Sequence, residues 1–150
     1  MERSVARDMI DNGGGSDPER SVRRALLRGF ALKCPRCARG PLFRRYLKVW
    51  PECPACGEEL HHQRADDAPA YFTIAIVGHV AVGGVLALER AYAPSGWVHA
   101  ALWLPLTLAG ALWLLPRVKG ALVGLQWALR MHGFGGVPDD IPPAPRPAGE

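Results

Sequence analysis

Charge is scarce in one long stretch of this 150-residue chain: Ala68 to Pro116 holds only Glu89 and Arg90. Thiols outside two tight pairs are absent, since Cys34, Cys37, Cys53 and Cys56 are all the cysteines there are, and no odd thiol is left for intermolecular pairing. An apolar core after the basic beginning is also missing. The chain runs instead into Asp11, Gly13 to Gly15 and Asp17, which argues against a secretory signal and for a reducing compartment. No Ser/His/Asp arrangement, phosphate loop or pair of catalytic carboxylates is apparent, so the expectation is a protein that is not an enzyme.

What is present divides sharply. Residues 1–67 carry thirteen Lys and Arg against ten Asp and Glu. The mean hydropathy near zero is an average of this polar part and the apolar part that follows. A net charge of +4 points to an anionic neighbour, either lipid headgroups or nucleic acid.

Tyr71 to Leu88 and Trp97 to Leu115 contain no Asp, Glu, Lys or Arg. Each approaches the roughly 20 apolar residues that a helix needs to cross the hydrocarbon of a bilayer. The alternative, a buried hairpin in a soluble protein, lacks enough other apolar sequence to enclose two such helices. The spacing predicts membrane-spanning helices over about 69–89 and 97–116, joined by Glu89 to Gly96 as an antiparallel hairpin. Cations flank the hairpin on its outer sides: Arg64 precedes it, and Arg117 and Lys119 follow it. By the positive-inside rule both termini face the cytoplasm. Tyr71 and Trp113 then mark one membrane interface, and Tyr92 and Trp97 the other.

The cysteines form Cys34-Pro-Arg-Cys37 and Cys53-Pro-Ala-Cys56, with fifteen residues between the pairs. That spacing is read as a zinc site, and four soft thiolates complete a tetrahedron with no open position. One structural Zn2+ is therefore expected, within a zinc-ribbon-like module over 21–67. The metal substitutes for a core that so few residues cannot build. Arg36, Arg39, Arg44, Arg45 and Lys48, interleaved with Phe43, Tyr46 and Trp50, offer a surface for anionic headgroups, a protein partner or nucleic acid. Tethering to a membrane favours lipid over nucleic acid.

Other elements are expected around these. Ser21 to Phe30 reads as either a basic amphipathic helix on a headgroup layer or a lead-in to the cysteine module. Leu122, Leu125 and Leu129 at helical spacing suggest a separate interfacial helix over 117–134. Residues 1–20 and 135–150 have the composition of disordered tails. The fold class expected is thus a mainly α membrane protein. It comprises a two-helix transmembrane hairpin, an N-terminal cytoplasmic zinc-ribbon-like module and a C-terminal interfacial helix.

His61, His62, Asp66 and Asp67 cluster before the first long helix and are types that ligate metal, although acids there also complement a helix dipole. His79 falls about 15 Å into that helix at 1.5 Å per residue. An ionisable group at such depth is a functional candidate. Ala75, His79, Gly83 and Ala87 share a stripe of mostly small residues, so His79 is expected to face protein rather than lipid, with Ala109 to Ala111 on the second helix as a complementary surface. Proton transfer or cofactor ligation by His79 stays open beside a packing role, and a homo-oligomer stays open beside a foreign partner.

The string Cys34-Pro-Arg-Cys37-Ala-Arg-Gly-Pro-Leu-Phe43, followed by Cys53-Pro-Ala-Cys56-Gly57, His61-His62, Ala65-Asp66-Asp67-Ala68-Pro69-Ala70-Tyr71-Phe72 and Val77-Gly78-His79, resembles the bacterial domain of unknown function 983 family. The resemblance runs over roughly residues 25–134. It implies a small inner-membrane protein with a zinc-ribbon-like head and two transmembrane helices, and an expectation of a part in respiratory-complex biogenesis. Ala38 departs from the glycine common after the second cysteine of such knuckles, which puts the first turn in question.

Overall fold

A computed structural model describes residues 20–65 and 67–135 of the chain. The segments expected to be disordered lie outside the described residues, apart from Arg20 and Gly135. The elements are helix α1 (Val22–Phe30), strands β1 (Phe43–Arg45) and β2 (Lys48–Val49), and helices α2 (Ala68–Tyr92) and α3 (Gly96–Ala128).

Pro69 sits in the first turn of α2, where the missing N–H is one that no helical carbonyl would have taken. The helix ends at Ala93, whose φ of 44° is left-handed and whose N–H bonds the carbonyl of Glu89. Pro94 cannot continue the helix. Ser95 is extended, and α3 begins at the next residue. The link is therefore only three residues long, shorter than the expected Glu89 to Gly96.

The contacts between α2 and α3 run in opposite senses along the chain: Glu89 meets His99, and Gly84 lies under the ring of Trp103. Farther from the link, Val77 and Ala81 share an apolar groove with Thr107 and Gly110. The two helices therefore pack antiparallel. Their outer surfaces are apolar and uncovered, with Ile74, Val80 and Leu104 each more than 65% exposed.

The face that α2 turns to α3 is not the expected one. The side chain of His79 is exposed, its Nδ1 2.7 Å from the carbonyl of Ala75 one turn back, and a Cβ on Gly83 would meet nothing within 4 Å. The four-residue count from Ala75 picked the neighbouring stripe. The packed face carries Val77, Ala81 and Gly84, and Gly84 is the small residue that a neighbouring aromatic ring requires.

A second difference concerns Pro116. The expected separate helix over 117–134 is instead a continuation of α3, which passes through both Pro105 and Pro116 to Ala128. A proline in a helix interior removes the hydrogen bond to the residue four back, normally at a cost of about 3 kcal/mol. For Pro116 the vacated acceptor is the carbonyl of Leu112. The hydroxyl of Tyr46, from the β1–β2 hairpin, donates to that carbonyl at 2.5 Å.

The last third of α3, beyond Pro116, is the spine of the polar module. Gly120, Val123, Gly124, Trp127 and Ala128 are buried there, under α1 and the cysteine loops. The approach is backbone to backbone: a Cβ on Gly120 would collide with the carbonyl of Gly29, and one on Gly124 with that of Ala25. Ala25 and Gly29 are the buried residues of α1, four apart, as are Gly120 and Gly124. Of the readings for Ser21 to Phe30, the helix is present and ordered rather than a frayed lead-in, and its buried stripe is occupied by α3. Arg20 extends this docking by donating to the carbonyls of Trp127 and Phe134 and lying over the Trp127 ring.

Candidate metal centre

Each cysteine pair lies at the tip of a short antiparallel loop. Lys33 bridges Pro41 in the first and Glu52 bridges Glu59 in the second. Inside them the same hydrogen bond recurs: Ala38 N–H to the carbonyl of Cys34, and Gly57 N–H to that of Cys53, both at 2.9 Å. The residue that closes each turn is left-handed, with φ of 58° at Ala38 and 68° at Gly57. The first knuckle thus keeps the geometry of the second despite its alanine.

The two loops bring all four sulfur atoms within 4.8 Å of one another. Cys34 and Cys56 are 3.8 Å apart at sulfur, and so are Cys37 and Cys53. A tetrahedron with metal–sulfur bonds of about 2.3 Å has edges of about 3.8 Å, whereas a disulfide requires about 2.05 Å. The donor set and its size therefore suit one tetrahedral soft or borderline cation, which is consistent with zinc. Gly40 permits this closure, since a Cβ there would stand 2.6 Å from the sulfur of Cys53.

The thiols are electrostatically unequal. Burial pushes the Cys34 thiol far up, against the pull of the Cys37 and Arg36 N–H groups, and burial also raises Cys56. At Cys37 burial opposes ionisation too, but the N–H groups of Gly40 and Arg39 and the neighbouring thiols Cys56 and Cys53 outweigh it, and its pKa falls from 9.0 to about 6. The site so offers one ready thiolate to an incoming cation. The remaining thiols must lose protons as the metal binds.

Around the sulfurs the knuckles are tied to each other and to α3. Arg28 donates to the carbonyls of Pro35 and Arg36, Arg36 pairs with Glu58 across the loops at 2.9 Å, and Glu58 accepts from the indole of Trp127 at 2.6 Å. Leu42 and Leu60, both fully buried, fill the space beneath. Arg39, Arg44, Arg45 and Lys48 are exposed on the same module as the paired Arg36.

The second expected cluster is divided. His61 and His62 stay together, and Glu59, which residue type and position had not singled out, joins them with its ligand atoms inside the same 4.8 Å limit. Asp67 stands instead at the start of α2, where its carbonyl accepts from Ala70 and Tyr71. Asp66 lies outside the described residues. His79 is twelve residues beyond Asp67 along α2, about 18 Å at the helical rise. It shares no site with the other histidines.

Residues 43–127 match the family described as Protein of unknown function (DUF983). The chain belongs to that family. The matched span takes in the second knuckle, both long helices and most of the α3 spine, while Cys34 and Cys37 lie before it. No curated protein and no solved structure matches the chain.

Proposed function

We propose that this DUF983 protein is a non-catalytic adaptor or assembly factor of the bacterial inner membrane, with α2 and the first part of α3 crossing the bilayer and a zinc-bound head on the cytoplasmic side. The observation that carries the reading is the docking of a coordinatively closed four-cysteine centre on the same helix that is long and apolar enough to span a membrane. Four thiolates leave the metal no position for substrate or water. The metal holds the shape of the head, and the head presents the cations.

The uncovered apolar surface supports membrane insertion: in the most apolar windows of α2 and α3 only 6% and 0% of residues are buried, unlike the core helices of a soluble protein. Tyr71 and Tyr92, both more than 70% exposed, are twenty-one residues apart on α2. That is about 32 Å of helix, close to the roughly 30 Å thickness of the hydrocarbon layer. Arg39, Arg44, Arg45 and Lys48 then lie at headgroup level, available to anionic lipid and to an acidic partner surface. A role in assembling a respiratory complex is the biological setting that the family resemblance favours.

Two measurements test this. Metal analysis of purified protein is expected to find zinc that resists dialysis and is lost in Cys53→Ser; metal-free protein cycling between dithiol and disulfide would overturn the structural role. Crosslinking in native membranes is expected to recover a foreign membrane subunit, reproducibly and in a manner weakened by Arg44→Glu with Arg45→Glu. Recovery of this chain alone would replace the adaptor with a self-contained oligomer.

A further inference from the structure

Beside the four-cysteine centre the chain builds a second group of ligands of different chemistry. After the second knuckle the chain bends sharply, with the N–H groups of Leu60 and His61 both donating to the carbonyl of Pro51, at 2.7 and 3.0 Å. Leu60 is fully buried by this bend, and Glu59, His61 and His62 gather beside it. The ring centroids of His61 and His62 are 4.0 Å apart, and His62 Nε2 lies 3.2 Å from a carboxylate oxygen of Glu59.

The segment after α3 shapes this group. Phe134 meets the His62 ring edge-on, with centroids 5.7 Å apart. Gly133, at φ 91°, lies so close that a Cβ would stand 2.7 Å from His62 Nδ1. The Nδ1 side of the ring is thereby covered, and Nε2 is turned to Glu59. Packing by Gly133 and Phe134 on that side restricts the ring and leaves Nε2 facing the carboxylate.

A further observation concerns charge. Glu52 and Glu59 are partners across an isolated antiparallel bridge. Like charges directly opposite destabilise such a pair, and a cation beside Glu59 relieves that repulsion.

We infer that Glu59, His61 and His62 form a second metal site, for a divalent first-row transition ion such as Zn2+, Co2+ or Cu2+. Metal bonds of about 2.0 to 2.2 Å to nitrogen and oxygen place tetrahedral ligands about 3.3 Å apart. The 3.2 Å separation of His62 Nε2 and Glu59 is already at that value. Two imidazoles and a carboxylate suit these borderline ions. With three protein ligands the ion keeps an open position, and with His61 and Glu59 exposed it exchanges with solvent. The cysteine centre retains its metal; this site takes up metal and releases it. It does not depend on the adaptor reading.

Cobalt titration of the full-length protein in detergent tests the inference, because thiolate-bound Co2+ has an intense charge-transfer band and a nitrogen and oxygen site has none. Wild-type protein is expected to bind two equivalents, one with the band and one without. His61→Ala, at an exposed position, is expected to weaken the second equivalent at least tenfold and leave the thiolate band intact; Glu59→Gln is expected to do the same. Saturation at one equivalent, or unchanged second-site affinity in both variants, overturns the site. Loss of the thiolate band with retention of the second equivalent would instead remove the cysteine centre and leave this one standing.

Discussion

At Ala38 the chain holds a side-chain-bearing residue at φ 58°, where the equivalent turn of the second knuckle has Gly57. A left-handed L-residue costs roughly 1–2 kcal/mol, which glycine avoids. Ala38→Gly is therefore expected to raise the unfolding free energy by about 1 kcal/mol, less the added freedom of the unfolded chain, as measured by chemical denaturation of zinc-loaded protein. The cysteines invite a second measurement at this scale. In metal-stripped protein the Cys37 thiolate forms as pH rises through about 6, well below the ordinary thiol value of 9.0. Any stability this depressed pKa confers is full above 9 and lost as pH falls through 6. Iodoacetamide at pH 7 is expected to label Cys37 first and Cys34 last, read by peptide mass mapping; equal rates would contradict the assigned environments. The clustering of the four cysteines was legible from spacing alone, because the geometry of a tetrahedral site dictates spacing. Glu59 was not, because its partnership with two histidines depends on a bend closed by the Pro51 carbonyl.

At the scale of elements, α3 was legible as far as Pro116 and misread beyond it. A proline after nineteen uncharged residues is locally a sound reason to end a helix. The carbonyl that Pro116 leaves without a helical donor is met from sixty-six residues away in sequence, by the hydroxyl of Tyr46 on Leu112, and the turns beyond it are packed against α1; no local pattern encodes either. Tyr46→Phe is expected to cost about 1 kcal/mol and to raise amide exchange around Pro116, measured by hydrogen–deuterium exchange in micelles. The docking of α1 did leave a trace, in the four-residue spacing of Ala25 with Gly29 and of Gly120 with Gly124. Such small-residue pairs permit close helix contact, but the leucines around the second pair suggested an interfacial face instead. Gly120→Leu is expected to cost at least about 3 kcal/mol, the upper end of overpacking penalties, because backbone cannot move aside as a side chain can. Trypsin should then cut rapidly at Arg23, Arg24 and Arg28, in contrast to the wild type.

For the whole molecule, the apolar and polar parts were separable by charge count alone, yet their mechanical relation was not. The sequence reads as beads on a string, whereas the head rests on the far end of a membrane-type helix and is pinned there by Trp127, Tyr46 and the glycine contacts. Chelation of the cysteine metal is expected to release the head selectively. Amide exchange over residues 32–60 should rise by orders of magnitude, while that over 72–88 and 98–114 stays within a factor of two; uniform loss of protection would mean that the hairpin depends on the metal as well.

The uninterrupted passage of α3 through Pro116 makes the head an oar blade rather than a tethered float. A helix of thirty-three residues is about 50 Å long, and roughly 30 Å of that suffices for the hydrocarbon. The rest extends past it and carries the head. Under the proposed membrane-spanning arrangement, a tilt or axial rotation of the hairpin would carry the cysteine knuckles with it, so bilayer thickness and helix packing would bear on the direction in which the cationic surface points.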